Sequence, residues 1–494
     1  MLRRIDEYPD YSGYVEEIEK NGITEGLLNK IIDKHTNNAI HTKELYNRYK
    51  TREDAVPIYS RKPRFEHEDK SIEELNNQVN NDFFGEITDI AVGYFAGKAA
   101  TYKYTDVDDN ESDTAIEAAK KALGDFVTRN NMYDVNMEIT KFATICGYAG
   151  RLFYIDTDGN ERVMPVAPYE TIILFNNEMT EPAAGIRYFK TVDINDREYY
   201  KAEYYDSHNI IFYEGQLGSL KQVDTKPHLF DFCPLQGIPR NRELMGDAEK
   251  VLDLIDDYDK TISDNSNDIE GNTNAHMVFK NIVTTDEEMA KARKSGAFTF
   301  NSMGGDSDVY YLVKNVNDGF NTNHLTRLED NIYRFSKTPN LNSEKFGTAS
   351  GISLKFKITG LESKSGAFEA KMSSADTYMF KLLASSFNKK RIAFDYLQCS
   401  ATYSRNFPMD LVSEAQTCQQ LISAGLPKEI AFEQLSFIDD VQEVMDLIEA
   451  EKDSIPSLMQ ELPEDLEDEE NEEENDEENK KTQNEEKEGK KLTL

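Results

Sequence analysis

One segment constrains this chain more than any other. From Leu244 to Ile269 one set of apolar residues, Leu244, Ala248, Val251, Ile255, Tyr258, Ile262 and Ile269, recurs at steps of 4, 3, 4, 3, 4 and 7. That repeat predicts a helix from about 244 to 270 with a narrow apolar seam, which needs a partner along its length. At 1.5 Å rise per residue it spans roughly 40 Å. Its other face is acidic: Asp247, Glu249, Asp253, Asp256, Asp257, Asp264 and Asp268. A second helix is predicted at 323–335, with Leu325, Leu328, Ile332 and Phe335 on one side.

Around this segment the hydrophobic period changes several times. Helices are predicted at 23–50, 83–100, 115–127 and 133–148, the third by an amphipathic pattern after an acidic loop at 106–113. Thr101 to Tyr104 reads as extended. From 151 the period drops to two. Leu152 to Ile155 and Val163 to Val166 flank Asp156-Thr157-Asp158-Gly159, a hairpin turn. Short strands follow at 172–175, 184–190, 199–205 and 209–213, so 151–235 is a β-rich subdomain that ends near Pro239. Residues 277–316 read as a small α/β insert, with strands at 278–282, 298–300 and 309–313 and a helix at 286–294. A Gly-containing segment at 339–351 leads into a long helical stretch over 352–397, which Gly360 and Gly366 could bend. Helices at 411–424, 428–435 and 441–450 close the ordered part, the first two around Gly425-Leu426-Pro427.

Charge narrows the function classes. The net charge is −36, and the 34 residues from Glu461 to Leu494 hold −11 of it. The tail from about Pro463 has almost no apolar residues and is expected to be disordered. The body keeps −25, which repels phosphate and argues against tight non-specific DNA binding over the whole surface. Such an excess keeps a chain soluble. It also suits a surface that must stay close to DNA without sticking to it. Four scattered cysteines with no CxxC pair suit a reducing compartment, without a disulfide framework or zinc site. The polar start, Met1 to Tyr14, and the lack of any run of about 18 apolar residues predict a soluble intracellular product with no membrane partner.

Catalytic patterns are missing. The seven histidines show no metal-binding spacing, and no cofactor is expected. Gly93-Tyr94-Phe95-Ala96-Gly97-Lys98 is one residue short of a phosphate loop and reads as a helix end. Asp156-x-Asp158-Gly159 lacks the further carboxylates of a calcium loop. Asp256-Asp257 sits among acids spread around a helix, which favours a solvated acidic face over a two-metal nuclease site. A metal-dependent nuclease and an acidic scaffold-type interaction protein remain the alternatives.

The order of elements carries the identification: a β-rich block, a long seam helix, a small insert, a returning helix, a Gly-containing loop, a second long helix and a helical end. Local matches are Gly93 to Lys98 with its preceding Asn-rich helix, Pro239-Arg240-Asn241-Arg242-Glu243 leading to Gly246-Asp247, Asp256-Asp257-Tyr258-Asp259, and Ser350-Gly351-Ile352-Ser353-Leu354-Lys355-Phe356. Over residues 25–455 the chain resembles the SPP1-type (siphophage) portal proteins of tailed bacteriophages. The resemblance implies an α+β portal fold, mainly helical, with a β-rich wing and a small α/β clip. It implies a ring, usually of twelve subunits, at one capsid vertex, through which a separate terminase motor packages double-stranded DNA. It maps a wing to 1–238, a stem helix to 239–271, a clip to 272–318, a second stem helix to 319–338 and a tunnel loop to 339–351. A kinked wing helix follows at 352–407, then a crown at 408–455; the acidic tail, 456–494, has no counterpart. The clip would meet the terminase large subunit and later the head-completion adaptor. Other implied partners are the major capsid protein and a scaffolding protein. The chain would be made in the host cytoplasm and end in the virion, with no catalytic residues.

Geometry fits that reading. Twelve helices side by side at about 10 Å enclose a lumen of roughly 28 Å, enough for duplex DNA with a thin water layer. The Debye length is about 8 Å in cell-like salt, so an acidic wall repels the duplex without being fully screened. Asp253, Asp256, Asp257, Asp264 and Asp268 are the candidate wall residues, though an outer solvated face fits them as well. In the loop, Lys345 is the candidate phosphate contact, with Asn340, Asn342 and Ser343 as neutral neighbours.

Overall fold

The computed structural model describes residues 10–63, 75–105, 113–175, 181–273, 276–282, 285–295, 307–312, 318–341, 356–406, 411–433, 435, 438, 441 and 444–450. The chain divides into two compact units, Met1–Phe407 and Pro408–Leu494. The first opens with α1 (Ser12–Asn21) and α2 (Glu25–Tyr49). The Thr24 hydroxyl caps α2 by accepting from the Leu27 N–H at 3.3 Å. Then come α3 (Phe83–Ala96), β1 (Thr101–Tyr104), α4 (Asp113–Arg129) and α5 (Met132–Cys146). The Asn-rich stretch before α3 is extended, not helical as expected. Helix α5 stops at Gly147, whose φ is +83°. A side chain there would also run into the Leu244 carbonyl, so only glycine lets the chain turn this close to residue 244.

Strands β2 (Tyr148–Ile155) and β3 (Glu161–Val166) form the expected hairpin. The Asp156 carboxylate accepts from the N–H groups of Asp158 (3.0 Å) and Asn160 (2.8 Å) and from Arg162 Nε (2.9 Å). These donors hold its pKa near 2, first of all the Asn160 N–H. A five-stranded antiparallel meander follows: β4 (Thr171–Phe175), β5 (Pro182–Val192), β6 (Glu198–Tyr205), β7 (Asn209–Gly215) and β8 (Lys221–Pro227). Strand β9 (Leu235–Pro239) returns to pair with β2, making a separate three-stranded sheet. The sequence reading contained neither β8 nor β9. Val15, Leu28, Ile31 and Ile32 of α1 and α2 share a core with Ile172, Leu174, Ile186 and Tyr204 of the meander.

The seam helix starts later than its periodicity predicts. A 3-10 turn, Glu249–Val251, precedes α6 (Leu252–Thr273), so Leu244 and Ala248 lie outside it. Asn241 competes for the local backbone: its side chain accepts from the Met245 N–H at 3.0 Å and donates to the Met245 carbonyl at 2.7 Å. Leu244 takes φ +55°. The insert contains β10 (His276–Lys280), α7 (Asp286–Ser295) and β11 (Asp308–Leu312), with β10 and β11 antiparallel; the strand expected at 298–300 lies outside the described residues. Helix α8 (Asp318–Ser336) returns, followed by α9 (Thr359–Lys389). Helix α9 ends well short of residue 397. The Asn388 side chain folds the chain back by donating to the Phe394 carbonyl and accepting from its N–H, and β12 (Cys399–Thr402) then pairs with β1. Phe95, Phe126, Ile139, Phe153, Phe368 and Met379 fill the core where α3, α4, α5, β2 and α9 meet.

The second unit holds α10 (Leu411–Ser423) and α11 (Lys428–Phe432), with Gly425 at φ +93° between them and Cys418, Ala431 and Leu435 as its apolar centre. The tail expected to be disordered lies outside the described residues. No described helix is long and apolar enough to cross a membrane.

Two buried polar sites yield predictions. Arg151 on β2 is 0% exposed and its NH1 donates to Asp376 Oδ1 of α9 at 2.8 Å, while the Tyr403 hydroxyl donates to Asp376 Oδ2. Replacing Asp376 with Ala strands a buried guanidinium and should cost about 3–5 kcal/mol of stability in urea unfolding. His35 of α2 lies between the Tyr188 hydroxyl (2.9 Å) and the Tyr148 hydroxyl (3.3 Å), and burial lowers its pKa to about 3. The unfolded chain therefore takes up a proton near pH 6.5 that the folded chain refuses. His35 should cost stability by about 1.4 kcal/mol per unit as pH falls from about 6.5 towards 3. His35→Gln should flatten the stability curve in that window.

Candidate functional site

Helices α6 and α8 run antiparallel. At one end Asn321 Nδ2 donates to Asn265 Oδ1 at 2.8 Å; at the other Ile332 shares a buried cluster with Val251 and Ile255. Phe83 of α3 wedges its ring edge-on against Tyr258 (4.9 Å) and Tyr333 (5.9 Å), and the Tyr333 hydroxyl donates to Glu86 Oε2 at 2.7 Å. The partner that the seam demands is therefore supplied from within the chain at the α3 end. Towards Thr273 the helix pair becomes polar.

An extended strap, residues 75–82, lies along a second face of α6. The N–H groups of Asn77, Val79 and Asn81 donate to the side chains of Asn267 (2.7 Å), Ser263 (2.9 Å) and Asp259 (2.8 Å). Alternate N–H groups of an extended chain repeat every ~6.6 Å, and side chains four apart on a helix repeat every ~6 Å. The near match lets three bonds form in one register. On the same face Arg48 pairs with Asp256 and Arg61 with Asp264, while His41 Nε2 meets Glu249 Oε1 at 2.9 Å. The hydrogen bond to Glu249, set against partial burial, raises the His41 pKa.

The expected wall residues divide accordingly. Asp256 is turned to Arg48. Asp264 is turned to Arg61 in the same way, which leaves Asp253 and Asp257, one turn apart, exposed between the strap face and the α8 face. Asp253 and Asp257 are exposed, with His324 Nε2 3.3 Å from Asp257 Oδ2; Asp264 and Asp268 are half-buried. Because Asp256 and Asp257 turn to different elements, they do not converge on one ion. Among the described residues no group of three or more His, Cys, Asp or Glu is placed to hold a metal. In the loop, Asn340 Nδ2 donates to Glu329 Oε1 at 2.8 Å. Asn342, Ser343 and Lys345 lie outside the described residues.

Asp247, expected on the acidic helix face, is instead buried at the root of α6. Arg240 grips it with two bonds, 3.0 and 2.8 Å, and Lys364 Nζ of α9 lies 3.0 Å from its Oδ2. Burial pushes this carboxyl up, but the two cations outweigh it and hold the pKa below the usual value. Lys364 also donates to the Ser336 carbonyl, the end of α8, at 2.9 Å. One buried cluster thus joins the end of β9, the root of α6, the end of α8 and α9. The segment's sequence hinted at Arg240 and Asp247; nothing in local spacing pointed to Lys364, 117 positions on from Asp247.

The strap gives a direct prediction. Exchanging Ser263 for Ala and Asn267 for Leu removes the acceptors of the Val79 and Asn77 N–H groups. Hydrogen exchange at 77 and 79 should speed up at least tenfold while the α5 core amides stay protected; equal protection in both proteins would mean the strap is held by something else.

Comparison with known proteins agrees with this architecture. The family described as Phage portal protein, SPP1 Gp6-like matches residues 28–457. The portal protein of Clostridium phage phiCD119 is 23% identical over 407 residues, 78% of this chain and 87% of that protein. The portal protein of Bacillus phage SPP1 is 22% identical over 423 residues, 79% of each. With most of its length matched, and with a structural rather than catalytic role implied, this chain belongs to the SPP1-type phage portal proteins.

Proposed function

We propose that about twelve copies of this chain close into a ring at one capsid vertex, and that α6 and α8 stand around its axis as the wall of a double-stranded DNA channel. In this reading 239–271 and 319–338 are the stem and 272–318 the clip that meets the terminase large subunit and then the head-completion adaptor. Residues 339–351 form the tunnel loop, with Asn340, Asn342, Ser343 and Lys345 nearest the DNA. The wing comprises 1–238 and 352–407 and meets the major capsid protein. The crown, 408–455, and the tail, 456–494, engage a scaffolding protein during assembly in the host cytoplasm. DNA enters by the work of the separate motor and leaves by the same route.

The observation that carries the channel is the open acidic stripe on α6. Its two neighbouring faces are occupied, one by the strap and one by α8. The remaining face presents the exposed Asp253 and Asp257. Repeated around an axis, the stripe would repel the duplex from all sides and centre it, because the gap is comparable to the ~8 Å Debye length. Asp256, neutralised by Arg48, adds little to that field.

Imaging of the purified chain tests the ring: closed particles with a central hole are expected, and a solution of monomers without a hole would sink the reading. The wall is tested by Asp253→Lys with Asp257→Lys. Rings of this double variant should form normally and now retain duplex DNA, with an affinity that falls steeply with salt. Unchanged weak binding would put these acids on an outer face.

A further inference from the structure

Where α3 meets α6 and α8, one side chain touches both. The Phe83 ring lies edge-on against Tyr258 of α6 and Tyr333 of α8. It is buried and occupies the first position of α3. The Asp82 side chain caps that helix by accepting from the Gly85 N–H at 3.0 Å. Two bonds pin the same turn to the helix pair. The Asn81 N–H donates to Asp259 of α6 at 2.8 Å, and the Tyr333 hydroxyl of α8 donates to Glu86 at 2.7 Å. The far end of α3 is fixed as well. The Tyr94 hydroxyl donates to Glu362 Oε2 of α9 at 2.6 Å, and Phe95 packs against Phe368 (4.8 Å) and Tyr403 (5.2 Å) in the main core. Helix α3, 14 residues and roughly 21 Å long, is thus a strut from that core into the groove between α6 and α8.

The side on which the strut enters decides its effect. At about 100° per residue, Tyr258 and Asp259 straddle the direction opposite to the midpoint of Asp253 and Asp257. Phe83 therefore enters from behind the exposed acids. We infer that Phe83 is the positioning residue that sets how many subunits close the ring. The inference rests on the ring reading above, in which the acids look onto the channel and Phe83 holds the helix pair apart on the outside. A subunit wider outside than inside turns the next one through a fixed angle. Twelve subunits need about 30° each and thirteen about 28°, so a change of about 2° decides the count. Without the Phe83 ring the backs of α6 and α8 can approach, since a packed site closes part of the gap left by a lost side chain. An approach of about 1 Å across the ~10 Å between helix axes is a tilt of about 6°, which exceeds that margin.

The test assembles the full chain and counts subunits per ring by native mass spectrometry and by end-on images. Phe83→Ala narrows the outside of each subunit, so its rings should gain at least one subunit, with the hole widening by about 3 Å for each. Phe83→Leu keeps most of the volume and should give a mixture of the original and the larger count. Ile145→Ala is the comparison: it truncates a buried side chain of the same cluster on α5, and should lower thermal stability while leaving the count unchanged. An unchanged count in Phe83→Ala rings overturns the assignment and leaves the ring reading intact. An equal shift in Ile145→Ala overturns it too, because any softening of the cluster would then suffice. If Phe83→Ala does not assemble, Phe83→Leu decides, and a single unaltered count in that variant overturns the assignment. Absence of rings in the unaltered chain instead defeats the ring reading itself.

Discussion

A carboxylate taken out of water must be met by charge, and Asp247 is met twice, by Arg240 and by Lys364. Removing that carboxylate would leave two cations facing each other in the interior, a loss of several kcal/mol. The partners come from distant parts of the chain. Arg240 ends the β-rich block, Asp247 precedes α6, and Lys364 lies on α9 while also binding the last carbonyl of α8. The Arg240 guanidinium in turn lies 4.7 Å from the ring centre of Phe368 in the main core. The relative placement of α6, α8, α9 and the β-rich block is therefore set at one buried point, and α6 and α8 leave it as a matched pair.

From that root outward, the balance of forces along α6 changes. Near Val251 and Ile255 the contacts are apolar and closed to water. Farther on, hydrogen bonds to the strap and the Asn265–Asn321 bond take over. An apolar seam along the whole length would leave a large exposed hydrophobic face on the free subunit and invite aggregation. A polar outer half avoids this, and directional hydrogen bonds still fix the register. Two arginines from the N-terminal part of the chain reach α6, Arg48 at Asp256 and Arg61 at Asp264, with His41 at Glu249 just before it. The face they reach is neutralised, while Asp253 lies on the remaining open face.

Much of this was legible in the sequence. Elements whose own period runs uninterrupted were placed within a few residues, such as α2 with its Leu28, Ile31 and Ile32 stripe and the β2–β3 hairpin around Gly159, whereas the seam helix and the long helix α9 were drawn too long by about two turns. What escaped notice depends on distant partners. Strand β8, Lys-Gln-Val-Asp-Thr-Lys-Pro, is exposed throughout and has the charged, proline-ended composition that protects a sheet edge, so no alternation marks it. The strap has no period because its side chains do not pack in a core; its backbone is read by α6. Asp247 looked like one acid among seven on a helix face. Its burial follows from the Asn241 turn, which breaks the helical period before the seam has begun.

The same logic explains why the acids of α6 cannot all be counted as wall charges. A carboxylate contributes to a distant field only if no cation cancels it nearby. Asp256 with Arg48 behaves as a dipole, whose field dies within a few ångströms in water, and Asp264 with Arg61 is partly so. Asp253 and Asp257 are exposed, and Asp257 has the His324 ring beside it at 3.3 Å. The repulsive strength of such a wall is therefore graded along its length. It is strongest near Asp253 and Asp257 and weaker where Arg61 reaches the helix. In the proposed channel, a duplex would be held off most firmly next to Asp253 and Asp257.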